Sequence, residues 1–407
     1  MLLKQITVER YKAYGDRCEF KIRPVTILVG RNNSGKSALA RVVPLIAAGL
    51  LSGGNEPLPL EAGGLRHATT LHDLITNRAA HGSLAVRVEW EHESVAISLD
   101  ATVRAFTTDP GAAPLPIVET WTLTHGANTL DLRRHTPLDP TQADYSLGPE
   151  SSSSVRITWE GLWPRAHDHD FSDWVRGIRE IIQGWARGVR YLCAPRAMPV
   201  EPFRTAAPMA AHRVDGGHVP MQLASDETLQ DAVDRWFQQI FSVGLEVAGM
   251  GEVTSLRLRR DTGAVDLAQG GQGLTQVLPV VALAVATSSR GDGVDLVEHP
   301  EADLHPAAHG DVADLLLKDR VASGRPLIME THSEMLLLRV RRQVAEGQLS
   351  PDDVAIYWVQ QDQGRARLQP VVLHRDGSVD NWPDGVFYED YDEILAIRRA
   401  SRQGEAS

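Results

Sequence analysis

Cysteine is nearly absent: Cys18 and Cys193 are the two in 407 residues. Two isolated thiols build neither a disulfide framework nor a paired metal motif, and they fit a reducing compartment. No uncharged apolar run reaches the ~18–20 residues that a bilayer crossing requires. The opening "MLLKQITVER" is charged too early for a secretory leader. A cytoplasmic protein with no membrane partner is therefore expected. Lysine is scarce as well. The basic residues are nearly all arginine, with lysine only at Lys4, Lys12, Lys21, Lys36 and Lys318, so a lysine inside a motif is less easily dismissed as surface filler. Sustained heptads and internal repeats are also missing, which excludes a long coiled coil and a solenoid. A net charge of −12, from 41 basic and 53 acidic residues, argues against a passive nucleic-acid coat, although a local basic face stays open.

What is present is ordinary globular composition, 43% hydrophobic and 23% charged, with chain enough for two or three domains. Residues 2–29 alternate and then turn wholly apolar, which predicts strands, the last of them buried. The run "ALARVVPLIAAGLL" after Ser37 reads as a helix that Pro44 is expected to kink or end early. Strands are expected over 83–99, in "IVETWTLT" and in "SVRITWE". The intervening "RRHTPLDPTQADYSLGPESSSS" reads as a long surface loop. Helical spacing covers 171–188 and 225–243, the latter with Ser225 as N-cap. A short buried strand is expected at "VRYLCAP". Beyond residue 250, strands and helices alternate: "SLRLRR", the glycine turn "AQGGQG" (268–273), a helix, "VDLVE", a helix, "RPLIMET", a helix, and two final strands.

Three stretches carry chemistry. "GRNNSGKS" (30–37) fits GxxxxGK[ST] between an apolar strand and a helix. Glycines let such a loop curl so that consecutive N–H groups and the helix N-terminus face phosphate. The lysine reaches the β- and γ-phosphates, and the hydroxyl of Ser37 ligates Mg²⁺. The candidate phosphate-binding residues are Gly30, Asn32, Asn33, Ser34, Gly35, Lys36 and Ser37. "VDLVEHPE" ends a strand at Glu298, where an α/β sheet holds a Mg²⁺ carboxylate. "RPLIMETHSE" ends a third strand at Thr331-His332-Ser333, and a histidine there can bond a terminal phosphate or the attacking water.

Together these motifs resemble the ABC-type ATPases of the RecF, SMC and OLD group. "ITVERYKAYGDRCEFKIRPVTILVGRNNSGKSAL" looks like that group's opening, "VEHPEADLHP" like its Walker B and D-loop, and "ETHSE" like its switch-histidine motif. The likeness covers residues 1–50 and 265–345. "RYLCAPR" and "DGSVDNWPDGVF" look like compact AAA-type ATPases of bacterial anti-phage defence operons. The resemblance implies an α/β, P-loop ABC-type head with a central mixed sheet, a β-rich N-terminal lobe and an inserted helical region. The halves of the head would be 1–100 and 251–345, with an inserted β/helical region at 101–250 and a tail at 346–407. It also implies a homodimer or higher homo-oligomer that sandwiches ATP and Mg²⁺, with Ser37 and Glu298 as metal ligands. Gly270, Gly271, Gly273 and Thr275 would be offered by the opposite subunit as the signature turn. No coiled coil lies between Lys36 and Glu298, against an SMC-type arm. No strand–Glu plus DxD pattern follows His332, against a TOPRIM nuclease.

The departure from the family pattern is His299, where a glutamate usually polarises water. Two readings follow. In one, turnover is slow and the protein acts as an ATP-held clamp. In the other, His299 or Glu301 assists hydrolysis, with His332 beside them. An alternative metal site would use Glu301, Asp303, His305 and His309. Arg339, Arg341 and Arg342 would contact phosphate or a partner, or simply face solvent. The expected function is a slow ATPase that regulates a separate effector, a nuclease or toxin, in anti-phage defence. A RecF-like repair ATPase that binds DNA directly, and a non-hydrolysing nucleotide-bound scaffold, are the alternatives.

Overall fold

In the computed structural model, the described residues are 1–107, 113–135, 144–148, 154–166, 171, 173–197, 203–204, 213–250, 253–286 and 292–383. A seven-stranded mixed sheet forms the centre. Its order is Val189–Leu192, Val294–Glu298, Leu327–Glu330, Val25–Gly30, Val354–Asp362, Arg365–Leu373 and Val379–Asp380. The first five run parallel and the last two are antiparallel. The P-loop strand is wholly buried, as is the strand Val294–Glu298. Sheets covered on both faces demand continuous apolar runs of that kind.

Two cores sandwich this sheet. Leu28, Leu296 and Ile328 face one core, while Val25, Ile27, Val29 and Val297 face the other. The first core holds the P-loop helix Lys36–Leu51 and a nine-stranded antiparallel sheet built from residues 2–21 and 83–166. In Ser83–His92, Leu84, Val86, Val88 and Trp90 turn inward at period two. Trp90 meets Trp185 edge-on at 5.3 Å, which seats the helix Asp173–Arg187. The second core holds the helices Glu227–Phe241, Gln272–Val285, Pro306–Leu317 and Glu334–Ala345.

The architecture agrees with the expected ABC-type head, and several local readings change. The helix Lys36–Leu51 passes through Pro44 without ending. Proline removes one backbone bond there, but Val42, Val43, Leu45, Ile46 and Leu50 are buried around it. Inside the expected surface loop, Asp144–Leu147 is a strand whose Tyr145 is fully buried; residues 136–143 and 149–153 lie outside the described residues. Asp226, not Ser225, caps Glu227–Phe241, because a short helix, Val219–Ser225, occupies the preceding turn. The expected boundary at 100/101 falls inside the strand Val95–Phe106, and Val189–Leu192 returns from the middle region to the edge of the central sheet. The end of "DGSVDNWPDGVF" lies outside the described residues.

One charged group holds the central strands together. Asp295 is fully buried within the apolar strand Val294–Glu298. It accepts from Arg190 at 2.8 Å, Arg320 at 2.5 Å and Arg325 at 2.8 Å. Burial works to raise its pKa, but the three guanidiniums more than offset this and hold the carboxyl well below its ordinary range.

Candidate functional site

The P-loop closes at the end of its strand. A Cβ on Gly30 would lie 2.2 Å from the carbonyl oxygen of Val359, so only glycine lets the chain leave the sheet there. Asn33 and Gly35 have φ of 62° and 105°, backbone that suits asparagine and glycine. Lys36 Nζ donates to the carbonyls of Gly30 (2.9 Å) and Arg31 (2.8 Å), so its side chain folds back across the loop. Tyr14 and Tyr11, from "ERYKAY", donate to the carbonyls of Gly35 (3.1 Å) and Ala38 (3.2 Å) and brace the helix start. Asn32 and Asn33 stay exposed, while Ser34 is buried and its hydroxyl lacks a hydrogen-bond partner among the described residues.

The two acids at the strand ends are register partners, Glu298 opposite Glu330, but their surroundings differ. Glu298 is saturated. Arg41 grips both its oxygens at 2.8 and 2.9 Å, Tyr191 donates its hydroxyl, and the N–H of Ala194 lies 3.3 Å away. The hydrogen bond to Glu298 leads the causes that hold the Arg41 guanidinium charged. Glu330 instead takes the Ser37 hydroxyl at 2.9 Å on Oε1, with Lys36 Nζ 3.9 Å away. Its other oxygen is buried without a hydrogen-bond partner among the described residues. Burial, then the proximity of Glu298, pushes the Glu330 carboxyl up.

His299 lies over this pair. Its backbone has φ 43°, and its N–H donates to the carbonyl of Glu330 at 2.8 Å. Its ring stacks on His332, centroids 5.1 Å apart and planes 10° from parallel. Nδ1 is 3.9 Å from Glu301 and Nε2 is 3.8 Å from Glu330; Glu301 first, then Glu330, raises the imidazole against the cost of burial. Partial burial, followed by Lys36 and His299, lowers His332 to about 4, so that ring is neutral at pH 7. Nitrogen and oxygen atoms of His299, Glu330 and His332 all lie within 4.8 Å of one another.

Glu301 is placed as a support. It accepts from the Thr331 hydroxyl at 2.7 Å and the His332 N–H at 2.9 Å, which fixes the switch loop. Burial would raise its pKa, but His299 and these donors keep it low and ionised. The alternative metal set does not converge. His305 caps the helix Pro306–Leu317 through Ala307 N–H, and His309 bonds Ser333 at 2.8 Å and the Leu304 carbonyl at 3.2 Å. Asp303 is exposed with φ 59°. Arg339, Arg341 and Arg342 bond Asp314, the Gly377 carbonyl and Glu346 within the chain.

The glycine turn sits before Gln272–Val285. Gly271 is exposed with φ 103°. A Cβ on Gly273 would meet the Asp303 carbonyl at 2.5 Å, so this turn packs directly on the D-loop. Thr275 departs from expectation: it is fully buried and its hydroxyl donates to the Gln272 carbonyl at 2.7 Å, inside the helix start rather than on the surface of the turn.

Sequence reading missed Arg41, Tyr191, Arg196, Gln276 and Glu330. Arg41 follows Ser37 by one helical turn, so the same face was available as a signal. Arg196 is buried; it donates to the carbonyls of Glu298 and His299, and exchanges bonds with Gln276 of the signature helix at 2.8 and 3.0 Å.

The fold has counterparts. Residues 349–396 match a family described as a protein of unknown function, DUF3696. No curated protein matches. A crystal structure of an SMC head bound to the C-winged helix domain of ScpA aligns over 92% of this chain and 99% of that one, at 14% identity and TM-score 0.53. The fold is that of an SMC-type ABC ATPase head. The SMC head domain from Thermotoga maritima (14% identity, 91% of this chain, 99% of that chain, TM-score 0.44) is also similar. So is the SMC head with an extended coiled coil, bound to the C-terminal domain of ScpA, derived from Pyrococcus furiosus (13%, 98%, 99%, 0.46). Among the described residues no helix is long and apolar enough to cross a membrane.

Proposed function

We propose that this chain binds ATP in the loop 30–37, pairs with a second head across the nucleotide, hydrolyses it slowly, and passes its state to a separate effector protein. The supporting observation is the meeting of Lys36, Ser37, Glu330 and the His299–His332 stack at one end of the parallel strands. Incoming phosphate takes the loop's N–H groups and the helix N-terminus, and Lys36 exchanges the Gly30 and Arg31 carbonyls for phosphate oxygens. Bound Mg²⁺ supplies charge neutralisation beside Ser37. His332, neutral at pH 7, is free to bond the terminal phosphate or the water that attacks it. His299 carries no carboxylate, and the nearest acids hold structural partners, which favours a slow switch. The turn at Gly270–Gly271, exposed at Gly271, is the surface offered to a partner head. The effector, a nuclease or toxin of an anti-phage system, rests on the sequence resemblance.

The test is binding of a fluorescent ATP analogue together with sedimentation in ATPγS and Mg²⁺. Wild type binds and dimerises, while Lys36→Ala does neither. A wild type that stays monomeric with saturating nucleotide, or equal binding by Lys36→Ala, overturns the proposal. Salt-dependent duplex DNA binding by the isolated chain, without an effector in pull-downs, replaces the effector with DNA.

A further inference from the structure

We propose that the carboxylate sharing a divalent cation with Ser37 is Glu330, from the switch strand, and that Glu298 at the Walker B position is an anchor for Arg41. The inference rests on the ATP-binding reading above and reassigns one ligand within it. Three observations carry it. First, Glu298 has no free oxygen to give: both are held by the Arg41 guanidinium, one also takes the Tyr191 hydroxyl, and the side chain is 4% exposed. A cation there would have to displace a buried bidentate ion pair, which leaves a guanidinium without its partner. Second, Glu330 Oε1 and Ser37 Oγ are 2.9 Å apart. Mg²⁺ binds oxygen at about 2.0–2.1 Å in a near-octahedron, so adjacent ligands sit about 2.9 Å apart. The two oxygens therefore have the spacing of one octahedral edge without any rearrangement. Third, Glu330 Oε2 is buried on a side chain 3% exposed and has no hydrogen-bond partner among the described residues, a status it shares with Oε2 of Glu301, whose other oxygen is held by the switch loop. A buried carboxylate oxygen left unpaired is costly and points to a missing cation or donor.

The position is also physically sensible. The strand Leu327–Glu330 lies between the P-loop strand and Val294–Glu298. Its terminal residue is thus nearer the loop in the sheet order than that of the Walker B strand. Lys36 Nζ is 3.9 Å from Glu330 Oε1, and a lysine drawn onto phosphate would uncover that oxygen.

Mn²⁺ as the spin probe, with ATPγS, reads the ligand directly. Electron paramagnetic resonance measures retained Mn²⁺ in wild type, Glu330→Gln and Glu298→Gln, and a fluorescent ATP analogue in EDTA measures metal-free nucleotide binding. Glu330→Gln keeps the Ser37 contact through its amide oxygen. It is expected to lose Mn²⁺ affinity about tenfold or more while metal-free binding stays within about twofold. Glu298→Gln is expected to keep Mn²⁺ and melt at lower temperature. Glu330→Asp, which retains a carboxylate on a shorter stem, is expected to fall between wild type and Glu330→Gln and carries the test if Glu330→Gln does not fold. Wild-type Mn²⁺ affinity in Glu330→Gln or Glu330→Asp, or loss confined to Glu298→Gln, overturns the assignment while leaving ATP binding intact. A wild type that binds nucleotide no better than Lys36→Ala overturns the ATP reading and this inference with it.

Discussion

Replacing His299 by glutamate restores the residue that the ABC pattern favours, yet the surrounding charges predict that the variant is destabilised in the absence of metal. His299 Nδ1 and Nε2 lie 3.9 and 3.8 Å from the carboxylates of Glu301 and Glu330. A glutamate there places a third anion at the same distances. Like unit charges about 4 Å apart repel by about 4 kcal/mol at an effective dielectric near 20. The His299 side chain is 29% exposed, so screening about halves each contact and leaves roughly 4 kcal/mol for the two. The stack on His332 is lost as well. At about 1.2 °C per kcal/mol for a chain of this size, the melting temperature in EDTA falls by about 5 °C. Mg²⁺ restores much of this, because three carboxylates around one point make an oxygen-rich cation site. His299→Gln removes the ring without adding an anion and melts within about 2 °C of wild type. Differential scanning fluorimetry with EDTA and then Mg²⁺ reads all three proteins. A His299→Glu protein that melts with wild type in EDTA, and gains nothing from Mg²⁺, refutes the acidic surroundings described for residue 299. Single-turnover hydrolysis on the same protein then reports whether the missing acid limits the rate.

Asp295→Asn leaves Arg320 and Arg325 buried with a neutral partner in place of an anion, and urea denaturation is expected to show a loss of about 3–5 kcal/mol. Because the folded pKa of Asp295 is depressed, its stabilisation is complete above the ordinary carboxyl range, near pH 4, and is lost as pH falls through the lower folded value. The stabilities of wild type and Asp295→Asn should therefore converge only in strong acid, and parallel curves down to the acid transition count against the arginine cluster. Gly273→Ala drives a methyl group toward the Asp303 carbonyl, 2.5 Å from the ideal Cβ. It should cost about 1–3 kcal/mol and weaken ATPγS-dependent dimerisation more than nucleotide binding, measured by sedimentation and by analogue fluorescence. Arg196→Met removes the donors to the Glu298 and His299 carbonyls and should lower thermal stability by about 2–3 kcal/mol, with an unchanged melting curve as the contrary result.

Periodicity was enough for the parallel strands and the P-loop helix, since buried strands must be apolar throughout and "VTILV" and "VDLVE" leave few other structures. It also put His299 and His332 each at the end of a strand, and the family resemblance, not the periodicity, implied that they meet at one nucleotide. The partners of the acids were not legible. Whether Glu298 or Glu330 faces Ser37 depends on strand order, and the order that inserts Leu327–Glu330 beside the P-loop strand is set by packing across hundreds of residues. Asp295 carried a signal of a kind, a charge in an otherwise apolar strand, but its three arginines come from positions 190, 320 and 325 and converge only in the fold. Thr275 shows the reverse error. A hydroxyl four residues after Gly271 reads as part of an exposed turn, yet the helix starting at Gln272 rotates it into the interior.

The surfaces an opposing head would meet hang on the same residues as the nucleotide end of the sheet. Gly273 packs on the Asp303 carbonyl, so the glycine turn and the D-loop move together or clash. One turn into the same helix, Gln276 holds Arg196, and Arg196 holds the carbonyls of Glu298 and His299. His299 in turn is tied by its N–H to Glu330 and by its ring to His332, and Glu301 ties the D-loop to the switch loop. These are direct contacts, most of them buried, without an intervening flexible stretch. A phosphate that reorients His332 or draws Lys36 from Glu330 would act on a closed ring of contacts that reaches the surface at His332, at Asp303 and beside Gly271. Contiguity of this sort is necessary for coupling and does not by itself create two states. The second state requires a ligand that binds one arrangement better than the other. Glu330 is the natural place for that difference, because it bonds Ser37, lies near Lys36 and has one oxygen without a hydrogen-bond partner among the described residues. On the proposed reading, a cation at that site would favour a loop arrangement in which Lys36 faces phosphate, and occupancy of the nucleotide site would then be readable at the glycine turn.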